Sequence, residues 1–307
     1  MGRLASYRVF GKPFVVSEYA STANDYAAEL FPLLTGVAGL QDWDAVFAFA
    51  YTDQNRDYQS GRISGQFALA GHPAKLAFLS SSAAAFRRGS VSPGQSRLEL
   101  GVPAEPSALP YTENALPSLW TQHGVSLAAA LIQPLGVALR AGSGEVTASR
   151  NAPVSGTLTS ETNELLSEPQ GQHARFSIDA PSLKAVCGFV SDSVLEFRSV
   201  SLQFRSFSPG FACASLLSLD DRPLESAQRI LLSVSGLSQN AAQSPSSPTA
   251  EVARAQYVPL TVTLPRGAWH ANALDAAGAP EQSLPVIDGN RISTDFRSAA
   301  LAYAFTR

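Results

Sequence analysis

Charge and cysteine are both scarce in this 307-residue chain. Charged residues are 15% of it, against roughly 25% in an average soluble domain. The polar surface must therefore come largely from Ser, Thr, Gln and Asn, which suits a β-rich, loop-rich protein. The net charge of −3 gives no basic footprint, which argues against nucleic-acid binding by phosphate neutralisation. No run reaches the roughly 18 apolar residues of a membrane span, so no membrane partner is expected. Met1 to Phe10 holds no apolar segment of signal-peptide length, and the chain as written is expected to be cytoplasmic. The only cysteines, Cys187 and Cys213, lie in the apolar runs Ala-Val-Cys187-Gly-Phe and Phe-Ala-Cys213-Ala-Ser. Buried free thiols are the reading of that setting, with a disulfide between adjacent strands as the alternative; a zinc site cannot be built from them.

Other chemistries are missing too. His72, His123, His173 and His270 are far apart and lack metal-ligand spacing. The nucleophile elbow Gly-x-Ser-x-Gly is absent: Ser64 follows Gly61 at the wrong spacing, and Ser235 lacks the first glycine. No phosphate-binding glycine loop occurs. No metal or organic cofactor is implied.

A length of 307 residues is enough for one large domain or two ordinary ones, and hydrophobic residues, at 45% of the chain, allow a sizeable core. Two regimes are visible. Up to about residue 90, short apolar strands alternate with helical stretches. Phe14-Val15-Val16 reads as a strand buried on both faces. Tyr26, Leu30, Leu33, Leu34, Val37 and Leu40 then recur at helical spacing. Ala45 to Tyr51 is a continuous apolar strand, and Pro73 to Arg88 a helix that Gly89 stops. This is the strand–helix–strand–helix text of a parallel α/β sheet. Residues 91–150 read as a linker or connecting layer, with Pro-rich text from Val102 to Pro117 and an apolar run from Val125 to Leu139 interrupted by Pro134. Residues 151–307 read as an antiparallel β-sandwich, with strands expected at Ala174–Ile178, Ala185–Val190, Val194–Phe204, Ala212–Leu219, Arg229–Val234, Val258–Leu264 and Leu301–Phe305. Asp288-Gly289 is a hairpin signal.

The segment Gly11-Lys-Pro-Phe-Val-Val-Ser-Glu18-Tyr19 resembles the seventh strand of the retaining, cellulase-like (clan A) TIM-barrel glycoside hydrolases. Val46-Phe-Ala-Phe-Ala-Tyr51 resembles their eighth strand, and Gly71 to Gly89 their closing helix. Phe176-Ser-Ile-Asp179-Ala-Pro181 with Ala185-Val-Cys-Gly-Phe189 resembles part of a β-sandwich that follows the barrel in some members. The fold class this implies is α+β multidomain, with a partial (β/α) barrel remnant, the last two βα units, at 1–90 and an antiparallel β-sandwich at 151–307. Residues 20–22 are Ala-Ser-Thr, where relatives carry Asn and His. The first six βα units, with the Asn-Glu acid/base pair of the fourth strand, are not in this sequence.

By this resemblance Glu18 is the nucleophile, while Tyr19, Tyr51 and Asp53 contact sugar. Retaining hydrolysis needs a second carboxyl group about 5–5.5 Å away, and the sequence offers none: Asn163-Glu164 lies between strands and reads as a turn. The implied partner is a carbohydrate. The missing strands and acid/base would come from a complementing barrel chain or from homo-oligomer copies, since two exposed parallel edges cannot be left in water. The alternatives are a non-catalytic carbohydrate-binding or structural protein, with Trp120 and Trp269 as core residues or sugar platforms, and an unconventional esterase drawing on the many serines.

Overall fold

The computed structural model describes residues 1–20, 25–52, 58, 61–65, 67–104, 115–141, 147–148, 154–169, 171, 174–241, 252–294 and 300–307. The protein is sheet-rich α+β. A short helix, α1 (Gly2–Ala5), leads to strand β1 (Val15–Tyr19), helix α2 (Leu30–Leu40), strand β2 (Ala45–Ala48) and helix α3 (Pro73–Arg87). Pro73 opens α3 where its missing N–H costs nothing, and Gly89 ends it at φ +61°. β1 and β2 pair in parallel and, among the described residues, form a sheet of two strands alone.

Residues 91–150, expected to be a connecting layer, carry a second parallel pair. β3 (Leu98–Pro103) and β4 (Leu135–Arg140) flank helix α4 (Ala115–Gln122) and a 3-10 turn at Leu127–Leu131, and β5 (Thr147–Ala148) adds antiparallel to β3. The apolar run interrupted by Pro134 thus divides into that turn and a strand that starts at the next residue. The buried Gln41 side chain ties α2 to this pair: its amide nitrogen donates to the Ala130 and Gln133 carbonyls at 2.7 and 2.8 Å, and its oxygen accepts from the Leu135 amide at 2.9 Å.

The remaining strands are β6 (Leu158–Thr159), β7 (Leu165–Glu168), β8 (Arg175–Ala180), β9 (Leu183–Phe189), β10 (Val194–Phe197), β11 (Val200–Phe204), β12 (Phe211–Ser218), β13 (Arg229–Ser235), β14 (Ser238–Asn240), β15 (Ala253–Ala255), β16 (Leu260–Thr263), β17 (His270–Leu274), β18 (Pro280–Leu284), β19 (Val286–Ile287), β20 (Arg291–Ser293) and β21 (Ala302–Thr306). They form an antiparallel sheet ordered β18-β17-β21-β13-β12-β9-β8-β7-β6, a second ordered β10-β11-β16-β20-β19, and the hairpin β14-β15. The expected single strand Val194–Phe204 is a hairpin, turning at Ser199 with φ +73°. Asp288 and Gly289 both adopt positive φ between β19 and β20, the conformation that Asp-Gly favours in a tight turn.

The two antiparallel sheets share one core, where Leu216, Leu232 and Phe305 meet Leu202, Leu260 and Ile292. The larger sheet is covered on its other face as well. In β12 all eight residues are buried: Ala212, Ala214 and Leu216 face the smaller sheet, while Phe211, Cys213 and Leu217 face the helices. That two-sided burial explains a continuous apolar run in an antiparallel strand, where one-sided burial gives alternation. Small residues let the helices lie close. A Cβ on Gly36 would come within 3.0 Å of Ile178 and Phe176, and Ser81 receives a hydrogen bond from Ser233 at 3.3 Å. β1 and β2 form the outermost layer, with Val16 packed on Phe31, Leu34 and Phe78. Among the described residues no helix is long and apolar enough to cross a membrane.

Candidate functional site

The register of β1 against β2 pairs Val16 with Val46, then Tyr19 with Ala48, so three steps on β1 match two on β2. The extra residue is a β-bulge at Ser17–Glu18. Strict alternation would turn Glu18 inward beside Val16; the bulge leaves both Ser17 and Glu18 exposed and returns Tyr19 to a half-buried position. The Glu18 side chain makes no hydrogen bond or ion pair with another described residue. It leaves the C-terminal end of a parallel strand, where open α/β sheets place their ligands.

The C-terminal end of β2 lies beside it, because the Phe49 amide donates to the Tyr19 carbonyl at 2.9 Å. Tyr51 follows, 51% exposed, and stacks on Tyr58 with centroids 6.4 Å apart and planes 18° from parallel. Phe49 and Phe67 form a second exposed pair, centroids 6.3 Å apart. Hairpin β14-β15 borders this rim. The Asn240 side chain accepts from the Ile63 amide at 2.8 Å and donates to its carbonyl at 3.0 Å, and the Ala253 amide reaches the Gly61 carbonyl at 2.8 Å. Asp53, the third residue expected to touch sugar, lies outside the described residues.

Tyr19 points away from this rim's solvent. Its hydroxyl donates to the Met1 Sδ at 3.9 Å, and burial, with the charge of Glu29 nearby, pushes its phenol up to about 12. Burial also raises the Glu29 carboxyl above its ordinary value. Glu29 lines a cleft of about 650 Å³ with Tyr26, Leu33, Cys187, Phe189 and Phe211. Sequence reasoning did not find this cleft, because its walls come from segments more than 150 residues apart whose approach no local pattern announces.

The other candidates resolve into structure. Asn163 sits at φ +56° in a turn, and Glu164 is buried, accepting from the Ser92 amide at 2.6 Å and hydroxyl at 2.9 Å. Trp43, Trp120 and Trp269 are all core residues; Trp43 packs on Phe14. His72 precedes α3, fully buried, and among the described residues neither ring nitrogen has a hydrogen-bond partner. Burial, with Lys75 adding its charge, pushes the His72 imidazole down to about 4. Cys187 and Cys213 are free thiols. Among the described residues no cluster of His, Cys, Asp and Glu could hold a metal ion.

Compared with known proteins, the chain matches no family model, no curated sequence and no solved structure. What the fold itself defines is a sheet-rich α+β protein with a short parallel sheet at its outer layer.

Proposed function

We propose that the chain is the C-terminal part of a retaining, glycoside-hydrolase-like carbohydrate-active protein, and that β1-α2-β2-α3 is the remnant of its barrel. The observation that carries this reading is the bulge at Ser17–Glu18, which exposes a carboxylate at the C-terminal end of a parallel strand whose neighbour, β2, leads on to the Tyr51–Tyr58 stack. Glu18 acts as the nucleophile on the anomeric carbon, and the Tyr51 ring takes the apolar face of a pyranose. Tyr19, whose hydroxyl is turned inward, supports the strand end rather than donating to sugar.

The acid/base and the remaining strands come from a complementing chain or from further copies of this one. Two βα units per chain mean that four copies would supply the eight strands of a closed barrel. Exposed Val15, Phe47, Phe49 and Phe67 on the outer layer favour a covered assembly. Turnover of aryl glycosides by the purified chain, abolished in Glu18→Gln and indifferent to a serine-directed reagent, supports the reading. Turnover confined to aryl esters, or glycoside turnover unchanged in Glu18→Gln, overturns it. A monomer by light scattering excludes assembly from copies of the chain.

A second reading, a non-catalytic carbohydrate-binding protein, draws on the lack of any partner for Glu18 among the described residues. It expects sugar binding that survives Glu18→Gln and falls in Tyr51→Ala, without turnover.

A further inference from the structure

β9 and β12 run antiparallel with Cys187 directly opposite Cys213 and Phe189 opposite Phe211. Opposite pairs in such a ladder alternate between hydrogen-bonded and non-hydrogen-bonded. The Val190 amide donates to the Gly210 carbonyl at 2.8 Å, and the Ser218 amide to the Ser182 carbonyl at 2.9 Å. These are the hydrogen-bonded positions at the two ends of the same register, and each lies an odd number of steps from Cys187. The Cys187–Cys213 pair is therefore non-hydrogen-bonded. Residues so placed have Cα atoms roughly 4.5 Å apart with their side chains close together, within the roughly 4.4–6.8 Å over which disulfides form and near its short end.

Their surroundings differ. Cys213 is fully buried, whereas Cys187 is 4% exposed and lines the 650 Å³ cleft beside Glu29. We propose that Cys187 and Cys213 form a peroxide-responsive dithiol, in which Cys187 is oxidised through the cleft and Cys213 resolves it to a cross-strand disulfide. The Cys187 sulfur attacks one oxygen of a hydroperoxide; an S–O bond forms, the O–O bond breaks, and water or an alcohol leaves. The Cys213 sulfur then displaces the hydroxyl of the Cys187 sulfenic acid, forming the S–S bond and releasing water with the Cys213 proton. Two thiols lose two electrons, which the peroxide accepts. Burial, with Cys187 and Glu29 alongside, holds the Cys213 thiol well above its ordinary pKa. Attack on a peroxide needs a thiolate, and Cys213 is held away from that form. This inference is independent of the role given to Glu18.

The test treats the folded full-length chain with a few equivalents of hydrogen peroxide, denatures it in iodoacetamide and measures its intact mass. The expected product is about 2 Da lighter than the untreated chain, takes up no alkyl group, yields a peptide joining Cys187 to Cys213, and returns to two alkylatable thiols after dithiothreitol. In Cys213→Ser the sulfenic acid has no resolving thiol, so dimedone should label Cys187; in Cys187→Ser it should not label Cys213. Two thiols still alkylatable after peroxide, sulfinic acid in place of the disulfide, or a disulfide between chains would each overturn the proposal. The mass of the unaltered chain decides even if neither variant folds.

Discussion

The Phe49 amide donates to the Tyr19 carbonyl at 2.9 Å, one step beyond the last registered pair of the β1–β2 ladder. That bond forms only because β1 spends an extra residue between Val16 and Tyr19, and the same extra residue puts Glu18 into solvent. A carboxylate held outward at a strand end by a backbone irregularity contributes nothing to the core. Glu18→Gln is accordingly expected to leave stability within about 0.5 kcal/mol of the unaltered chain.

Glu164 is the opposite case. It is buried and accepts two hydrogen bonds from Ser92, so Glu164→Ala leaves the Ser92 amide and hydroxyl without their acceptor. The expected loss is about 1.5–3 kcal/mol, read as a lower urea midpoint at unchanged m-value. A midpoint equal to that of the unaltered chain would show that the Ser92 turn is held by something else.

Gly188 follows Cys187 in β9 at φ +142°. A Cβ there would stand 2.3 Å from the Ala174 carbonyl oxygen and 2.8 Å from the Arg175 Cα. Both are backbone atoms of the neighbouring β8 segment and cannot swing aside. Gly188→Ala should destabilise by about 2 kcal/mol or more, whereas Gly124→Ala, with nothing within 4 Å of its Cβ, costs only the strain of its positive φ. Equal losses in the two variants would contradict this account of Gly188.

His72 gives the fold an acid limit. Its imidazole titrates at about 4 in the folded chain, against about 6.5 unfolded. As pH falls the unfolded chain therefore binds the proton first. The contribution of the neutral, buried ring is fully present above pH ~6.5 and is lost as pH drops toward 4, about 3 kcal/mol in all. Urea midpoints from pH 7.5 to 4.5 should fall more steeply in the unaltered chain than in His72→Asn, which does not titrate. Parallel slopes would remove His72 as the cause.

The helices of the first 90 residues were legible because each carries its own period, but the strand reading needs correction. Val15 is exposed where burial on both faces was expected, Phe47 is exposed too, and β2 ends at Ala48 rather than Tyr51. The Tyr26–Leu40 spacing, the Pro73 start and the Gly89 stop are local signals; they mark the end of α2 and both ends of α3 within a residue or two, whereas α2 itself begins only at Leu30, after a 3-10 turn at Ala27–Glu29. Strand β12 was legible from its run of apolar residues. What sequence could not show depends on partners. The Val125–Leu139 run gave no sign that its second half pairs in parallel with β3, since that pairing joins residues some 37 apart and is fixed only when both strands meet in the core around Trp120. The turn at Ser199 uses a residue with no turn preference at positive φ. At the candidate site, Glu18 was legible near the end of its strand, while Tyr51, expected at the tip of a strand, lies three residues beyond β2; the bulge and the opposition of Cys187 to Cys213 are matters of register, which only the folded sheet fixes.

The most direct test of the central claim is covalent trapping of the nucleophile. The purified chain, with any co-purifying partner retained, is incubated with a panel of activated 2-deoxy-2-fluoro glycosides, digested, and mapped by mass spectrometry. The account predicts one glycosyl adduct, on the peptide that carries Glu18, and none in Glu18→Gln, because only the carboxylate can form the covalent intermediate. An adduct on another residue, or no adduct where glycosides are nonetheless turned over, would contradict it.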